Sequence, residues 1–292
     1  MPELEPTFNA ESVDGPAMSD SHQANPSAYL AALEEHLAPS RGGALWARHW
    51  WAHTDIDHFQ PFIRLLSRHT DVRGARVLDT GCGVAGCLLA LRESGATDLV
   101  GIELDPDKAR LARLRVDGKP IRIVEQDAAT LGNSRSFDIV TSLHVVEHVA
   151  DPDAYVQALR RLLSPDGVLL LACPNRLWWR EAHSRLPFVH WLGQGSRRRV
   201  AATLSTSRLV PRAIRQRAEG ALQYETDFTA ISLRQLLQRN GLSIVELNPW
   251  GAWGGPRLII AASHLLTCWA PPFHRFVRSV VGDQLIVIAR AR

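Results

Sequence analysis

Between residues 75 and 173 short apolar runs alternate with helical stretches, and this alternation constrains the fold more than any other feature of the chain. ARVLDTG (75–81), DLVGIEL (98–104), IRIVEQD (121–127), FDIVTSL (137–143) and GVLLLAC (167–173) read as strands. Their apolar residues do not alternate with polar ones, so both faces of each strand are expected to be buried. CLLALRES, PDKARLARLRV and the stretch from Asp153 to Leu163 read as the helices between them. Ser232 to Asn240 reads as a later helix, with LSIVEL (242–247) and QLIVIARA (284–291) as sixth and seventh strands. The expectation is an α/β fold with a doubly wound, seven-stranded, mostly parallel sheet. A chain of 292 residues is long enough to bury such a core.

Segments of different composition surround the alternation. Residues 1–25 hold five acids and no Lys or Arg, and read as a disordered acidic tail. Residues 26–71 read as an N-terminal helical segment, with Tyr29, Leu30, Leu33 and Leu37 on one face and Trp46, Trp50 and Trp51 after them. The core then spans 72–175, a lid insertion 176–227, and the C-terminal part of the core 228–292. Between Arg176 and Arg217 ten arginines stand against one acid, Glu181, with Trp178, Trp179 and Trp191 interleaved. A second insertion, 248–283, contains the uncharged stretch Leu258 to Ala270. Its 13 residues are fewer than the ~20 a spanning helix needs. The start, MPELEPTFNAESVDG, has no basic segment leading into an apolar one, and the four cysteines form no C-x-x-C pair. A reduced, cytoplasmic protein is expected.

Gly81, Gly83 and Gly86 fit G-x-G-x-x-G at a strand-to-helix turn, a pattern shared by several nucleotide-binding families. Asp79, two positions before Gly81, discriminates among them. A carboxylate there opposes a pyrophosphate on the helix N-terminus and suits a ligand bearing an ammonium group. S-adenosylmethionine has that ammonium, a sulfonium and no phosphate. Glu103, at the end of the second strand, is placed to accept ribose hydroxyls. Asp127, at the end of the third, is placed to accept an adenine amine, with the Ala128 backbone N–H beside it. Each acid alone could be a helix cap; three at successive strand tips point to a ligand.

VLDTGCGVAG (77–86), VGIELDP (100–106), EQDAATL (125–131), FDIVTSLHVVEHVADP (137–152) and LRRLLSPDGVLLLACPNR (159–176) together resemble the class I S-adenosylmethionine-dependent methyltransferases. The segment VVEHVADP looks like the branch containing ubiquinone-type O-methyltransferases and many bacterial small-molecule enzymes. Residues 174–192 also resemble a bacterial subgroup associated with cell-surface glycan and lipid biosynthesis. The resemblance gives Asp79, Gly81, Cys82 and Gly83 to the methionine end of the cofactor. It gives Glu103 to the ribose, Leu104, Asp127 and Ala128 to the adenine, and Leu143 with His144 to the sulfonium and the incoming acceptor.

Methyl transfer from a sulfonium needs alignment above all, and a base only where the acceptor must lose a proton. His144, Glu147 and His148 follow the fourth strand and are the catalytic candidates, with His144 preferred as base. His144-Val-Val-Glu147-His148 also fits H-x-x-E-H, but that protease pattern belongs on a helix. Some family members hold a divalent cation with E-x-x-E-H; His144 stands in place of the first Glu, and no metal is assigned. Cys173 reads as a buried thiol. The expected acceptor is a small or lipid-linked molecule methylated at oxygen. Arginines and tryptophans in the lid suit a phosphate or carboxylate, or an anionic membrane surface at which the protein would be peripheral. A net charge of +3 does not announce nucleic acid. An RNA methyltransferase using the Arg-rich face and a noncatalytic binding subunit are the alternatives.

Overall fold

The computed structural model describes residues 26–36, 56–131, 136–179, 186–212, 214, 215, 218, 226–248 and 282–292. The expected tail, the Trp46/Trp50/Trp51 set and the apolar stretch Leu258 to Ala270 lie outside these residues.

Seven strands form one sheet: β1 (Arg76–Thr80), β2 (Asp98–Glu103), β3 (Ile121–Glu125), β4 (Phe137–Leu143), β5 (Leu163–Pro174), β6 (Leu242–Asn248) and β7 (Gln284–Ala291). Their order is β3-β2-β1-β4-β5-β7-β6, and β1 pairs parallel with both β2 and β4. The order reverses between β1 and β4, the point at which open α/β sheets bind ligands beyond the carboxyl ends of their strands. The helices are α1 (Pro26–His36), α2 (Gln60–Leu66), α3 (Gly86–Glu93), α4 (Pro106–Arg115), α5 (Pro152–Leu162), α6 (Gln194–Thr206) and α7 (Ala230–Arg239). β5 begins at Leu163, ahead of the expected Gly167, and the Ser164 hydroxyl donates to Asp138 at 3.3 Å. No helix among the described residues is long and apolar enough to cross a membrane.

The chain divides into two compact units, 1–142 with 154–169 and 291, and 143–153 with 170–290 and 292. In the first, β1 is buried beyond Arg76 and β4 from Ile139 to Ser142, as uninterrupted apolar runs require. α4 starts where Asp105 caps it, accepting from the N–H groups of Asp107 and Lys108 at 2.9 and 3.3 Å, with Pro106 in the first turn. The Asp-Pro pair of VGIELDP is therefore a helix start. α1 lays Tyr29, Ala32 and Leu33 against Leu111 of α4 and Val84 of the glycine loop. Gly101 in β2 cannot carry a side chain: a Cβ would stand 2.7 Å from both Cys82 Sγ and Leu88 Cδ1 and 2.9 Å from Ile123 Cδ1. Gly101→Ala is expected to destabilise the fold by about 1–3 kcal/mol through overpacking. A thermal melt indistinguishable from the parent's would contradict that close approach.

In the second unit α7 is closed at its start by a capping box, with Thr229 and Ser232 exchanging side-chain-to-backbone hydrogen bonds. Its end is tied down by Arg239 and Asn240, both donating to Asp153. That forked pairing holds the Asp153 carboxyl down at about 2. Arg197 is 2% exposed and donates from one Nη to both oxygens of Asp227 at 2.8 and 2.9 Å.

Candidate active site

Within the first unit, the carboxyl ends of β1 and β4 carry a buried polar network. Asp79, 2% exposed, accepts from the Thr141 hydroxyl at 2.6 Å, its register partner across the β1–β4 ladder. Beside it the Tyr155 hydroxyl meets those of Thr80 at 2.8 Å and Ser142 at 2.9 Å. Burial pushes the Asp79 carboxyl up to about 7; the Thr141 hydrogen bond opposes this and the nearby Glu103 charge adds to it. A carboxylate held so dry lacks a cation.

The turn after β1 supplies the cradle. Gly81, Gly83 and Ala85 all have positive φ (67°, 55° and 61°), which turns successive backbone groups into a tight loop before α3. Space for a Cβ at Gly83 is open, with no atom within 4 Å, so the backbone there is free to be approached closely. The Gly83 N–H donates to one oxygen of Glu103 at 2.8 Å, and the Asp105 N–H to the other at 3.0 Å. Each oxygen keeps a second lone pair for a hydroxyl. Cys82 is buried, its N–H given to the Ile102 carbonyl and its thiol pushed well up by burial. Asp127 accepts from the Ala129 N–H at 2.9 Å and caps a short turn, with Ala128 buried behind it and the carboxylate exposed. Leu104 is 67% exposed, which leaves a broad apolar surface at the β2 tip. These groups fit S-adenosylmethionine: a dry carboxylate for its ammonium, an open glycine turn, and a second carboxylate for its diol.

The second unit holds the catalytic candidates. Leu143 closes β4 and is half-buried. His144 follows with φ 59°, a left-handed conformation that a residue with a Cβ adopts at a cost, held by its N–H bond to the Ala172 carbonyl. Its Nδ1 lies 3.4 Å from Glu147 Oε1, and its Nε2 faces Gln284 Oε1 at 3.1 Å. Glu147 is 1% exposed, neither of its oxygens accepts a well-formed hydrogen bond, and His148 Nε2 stands 3.9 Å from the same Oε1. Two imidazoles thus flank one dry carboxylate. Burial lowers the His144 pKa, but the close Glu147 carboxylate outweighs it, with Gln284 and Asp283 adding, so the net displacement is upward from 6.5. The protonated ring therefore stabilises the fold below pH 6.5, and that contribution is lost as pH rises through the raised value. Cys173 is a fully buried thiol. No group of three or more His, Cys, Asp or Glu among the described residues is arranged to hold a metal ion.

Thr141, Tyr155 and Gln284 are partners that the sequence reading missed. Parallel register between β1 and β4 would have pointed to Thr141; no local signal links Gln284 to His144, 140 positions away.

A family model described as a methyltransferase domain matches residues 50–247. A ubiquinone biosynthesis O-methyltransferase of Xanthomonas oryzae is 37% identical over 148 residues, covering 46% of this chain and 59% of that protein. Its counterpart in Cereibacter sphaeroides is 38% identical over 120 residues, covering 39% and 47%. The chain thus spans about half the length of these relatives. A crystal structure of an S-adenosylmethionine-dependent methyltransferase from Mesorhizobium loti shares the fold, with a TM-score of 0.53 at 17% identity over 80% of this chain and 99% of that one. With two thirds of its length matched by the family model, the chain belongs to the methyltransferase-domain family, and it has the class I S-adenosylmethionine-dependent methyltransferase fold.

Proposed function

We propose that the protein transfers a methyl group from S-adenosylmethionine to an oxygen of a small, lipid-linked acceptor. The observation that carries the donor half is the buried Asp79 carboxylate beneath the open glycine turn. The acceptor half is supported by the likeness to ubiquinone biosynthesis O-methyltransferases, which extends over 46% of this chain.

Asp79 holds the ammonium, the Gly81–Gly83 turn with Cys82 lies along the methionine, and Glu103 accepts the ribose hydroxyls. Leu104, Asp127 and Ala128 line the adenine, and Leu143 the region of the sulfonium. When bound, the cofactor supplies an electrophilic methyl whose departure leaves a neutral thioether. With Nδ1–H turned to Glu147, loss of the Nε2 proton that Gln284 Oε1 accepts would leave Nε2 as the basic nitrogen, and an acceptor hydroxyl would then take the place of Gln284 beside it. His144 would take the proton of the acceptor hydroxyl, leaving its oxygen to attack the methyl that the cofactor would supply, and Glu147 would balance the imidazolium. His148, whose Nε2 stands 3.9 Å from the same Glu147 oxygen, would place a second imidazole beside that carboxylate.

The test is transfer of labelled methyl from S-adenosylmethionine to a prenylated catechol, with a tail-free catechol and total RNA as parallel acceptors. Label retained in the prenylated product supports the reading; label in RNA alone overturns the acceptor, and label in neither, with S-adenosylhomocysteine bound, overturns the oxygen-methylation half.

A further inference from the structure

A lipid-linked acceptor sits in a bilayer, and the second unit carries a surface of matching chemistry. Trp179, Phe188, Trp191 and Leu192 are 39%, 49%, 48% and 38% exposed. Their rings run in sequence, Trp179 to Phe188 at 6.4 Å and Phe188 to Trp191 at 4.8 Å. The underside of the same segment is a separate core of Leu186, Val189, Ala201 and Ala218. The exposed rings are therefore not what holds the segment together. Exposing large apolar groups side by side costs solvation free energy that a free, water-facing surface does not recover.

Two details show how the patch is built. Phe188 has φ 60°, a left-handed backbone that disfavours any residue with a bulky side chain, yet the ring stands half out in solvent. Trp191 turns its indole N–H inward to the carbonyls of Arg176 and Trp178, at 2.8 and 3.2 Å. The polar edge is thus satisfied within the protein, and the exposed remainder of the ring needs no hydrogen-bonding partner.

Among the described residues 186–212 the acidic and basic side chains are five arginines, with no Asp, Glu or Lys. Arg197 is consumed by Asp227, whereas Arg198, Arg199, Arg208 and Arg212 are exposed. Leu209, next to Arg208, is 97% exposed. Aromatic and aliphatic side chains flanked by cations match an anionic bilayer: apolar groups enter the acyl boundary while guanidinium groups meet the phosphates. An RNA would use the arginines and rings, but it gives no return for exposed Leu192 and Leu209.

We propose that Trp179 and residues 186–212 form a membrane-docking face for anionic lipid, centred on Phe188, Trp191 and Leu192 and steered by Arg198 and Arg199. The proposal rests on the lipid-linked acceptor of the preceding reading, and it adds the surface through which the protein reaches that acceptor.

The experiment is co-sedimentation of the full chain with phosphatidylglycerol–phosphatidylcholine vesicles and with phosphatidylcholine vesicles alone. Phe188→Asn paired with Leu192→Ser removes the apolar anchors, and asparagine tolerates the left-handed backbone at 188, so the fold is spared. Arg198→Gln paired with Arg199→Gln removes two cations. The parent should bind the anionic vesicles selectively. The first pair should weaken binding about tenfold or more, and the second about fivefold per arginine, less at high salt. S-adenosylhomocysteine affinity, measured alongside, should be unchanged in both. Equal binding by parent and variants, or none by the parent, overturns the docking face while leaving the methyltransferase reading intact. So would RNA binding, or self-association by light scattering, that the same variants abolish in the absence of vesicle binding.

Discussion

Replacing Asp79 by alanine is expected to weaken S-adenosylhomocysteine binding about a hundredfold, the scale of a lost charged hydrogen-bond pair in a dry site. In the free protein the carboxyl is raised to about 7, so its ionised form is disfavoured by something on the order of 4 kcal/mol. A ligand ammonium relieves that penalty, so the interaction is larger than a surface ion pair of the same geometry. Two consequences separate this account from a merely structural Asp79. Parent affinity should fall by about tenfold per pH unit below 7, as the carboxylate is protonated, whereas the alanine variant should bind weakly without that slope. Folding stability should move the other way. A raised carboxyl weakens the fold as pH climbs from 3.8 through about 7, so the variant should be at least as stable as the parent above that range. The Thr141 hydroxyl keeps an alternative acceptor in the Leu78 carbonyl at 3.4 Å. Isothermal titration from pH 5.5 to 8.5 with parallel melts reads all three; affinity within threefold of the parent would remove Asp79 from the cofactor site.

His144→Ala should lower kcat by about 10²–10⁴, the usual worth of a general base, with S-adenosylhomocysteine affinity nearly intact. Because Glu147 helps hold the His144 pKa above 6.5, the acidic limb of kcat at saturating cofactor should lie above pH 6.5 in the parent. Activity rises with pH there, since the base is the deprotonated ring. Glu147→Gln leaves a side chain of the same size and removes the charge, so the limb should move to lower pH while kcat on the plateau falls. A structural role for Glu147 would lower stability without moving the limb. An equal loss of turnover and cofactor affinity in His144→Ala would end its assignment as the base.

The two residues differ in how far the chain itself announced them. Asp79 was legible as a carboxylate near the end of a buried strand that leads into a glycine turn, whereas its Thr141 partner across the sheet was not. The acids Glu103 and Asp127 were legible for the same reason, although each also caps backbone N–H groups that sequence could only offer as an alternative. His144 was visible as a titratable residue after a strand, yet its left-handed backbone and its Gln284 partner were not.

Local patterning was enough to place the seven strands, the glycine turn and the carboxylates near the strand ends, although the fifth strand begins at Leu163 rather than Gly167 and α7 at Ala230 rather than Ser232. Each follows from contacts made within a few residues, whose periodicity and capping chemistry are written along the chain. Tertiary structure alone decided that Thr141 faces Asp79, that Tyr155 joins the hydroxyls of Thr80 and Ser142, and that Gly101 must make room for Cys82. It also decided that Phe188, Trp191 and Leu192 stay outside while Leu186 and Val189 go in. Those outcomes depend on strand register and on which apolar residues find a packed surface first, and both are settled between segments far apart in the sequence.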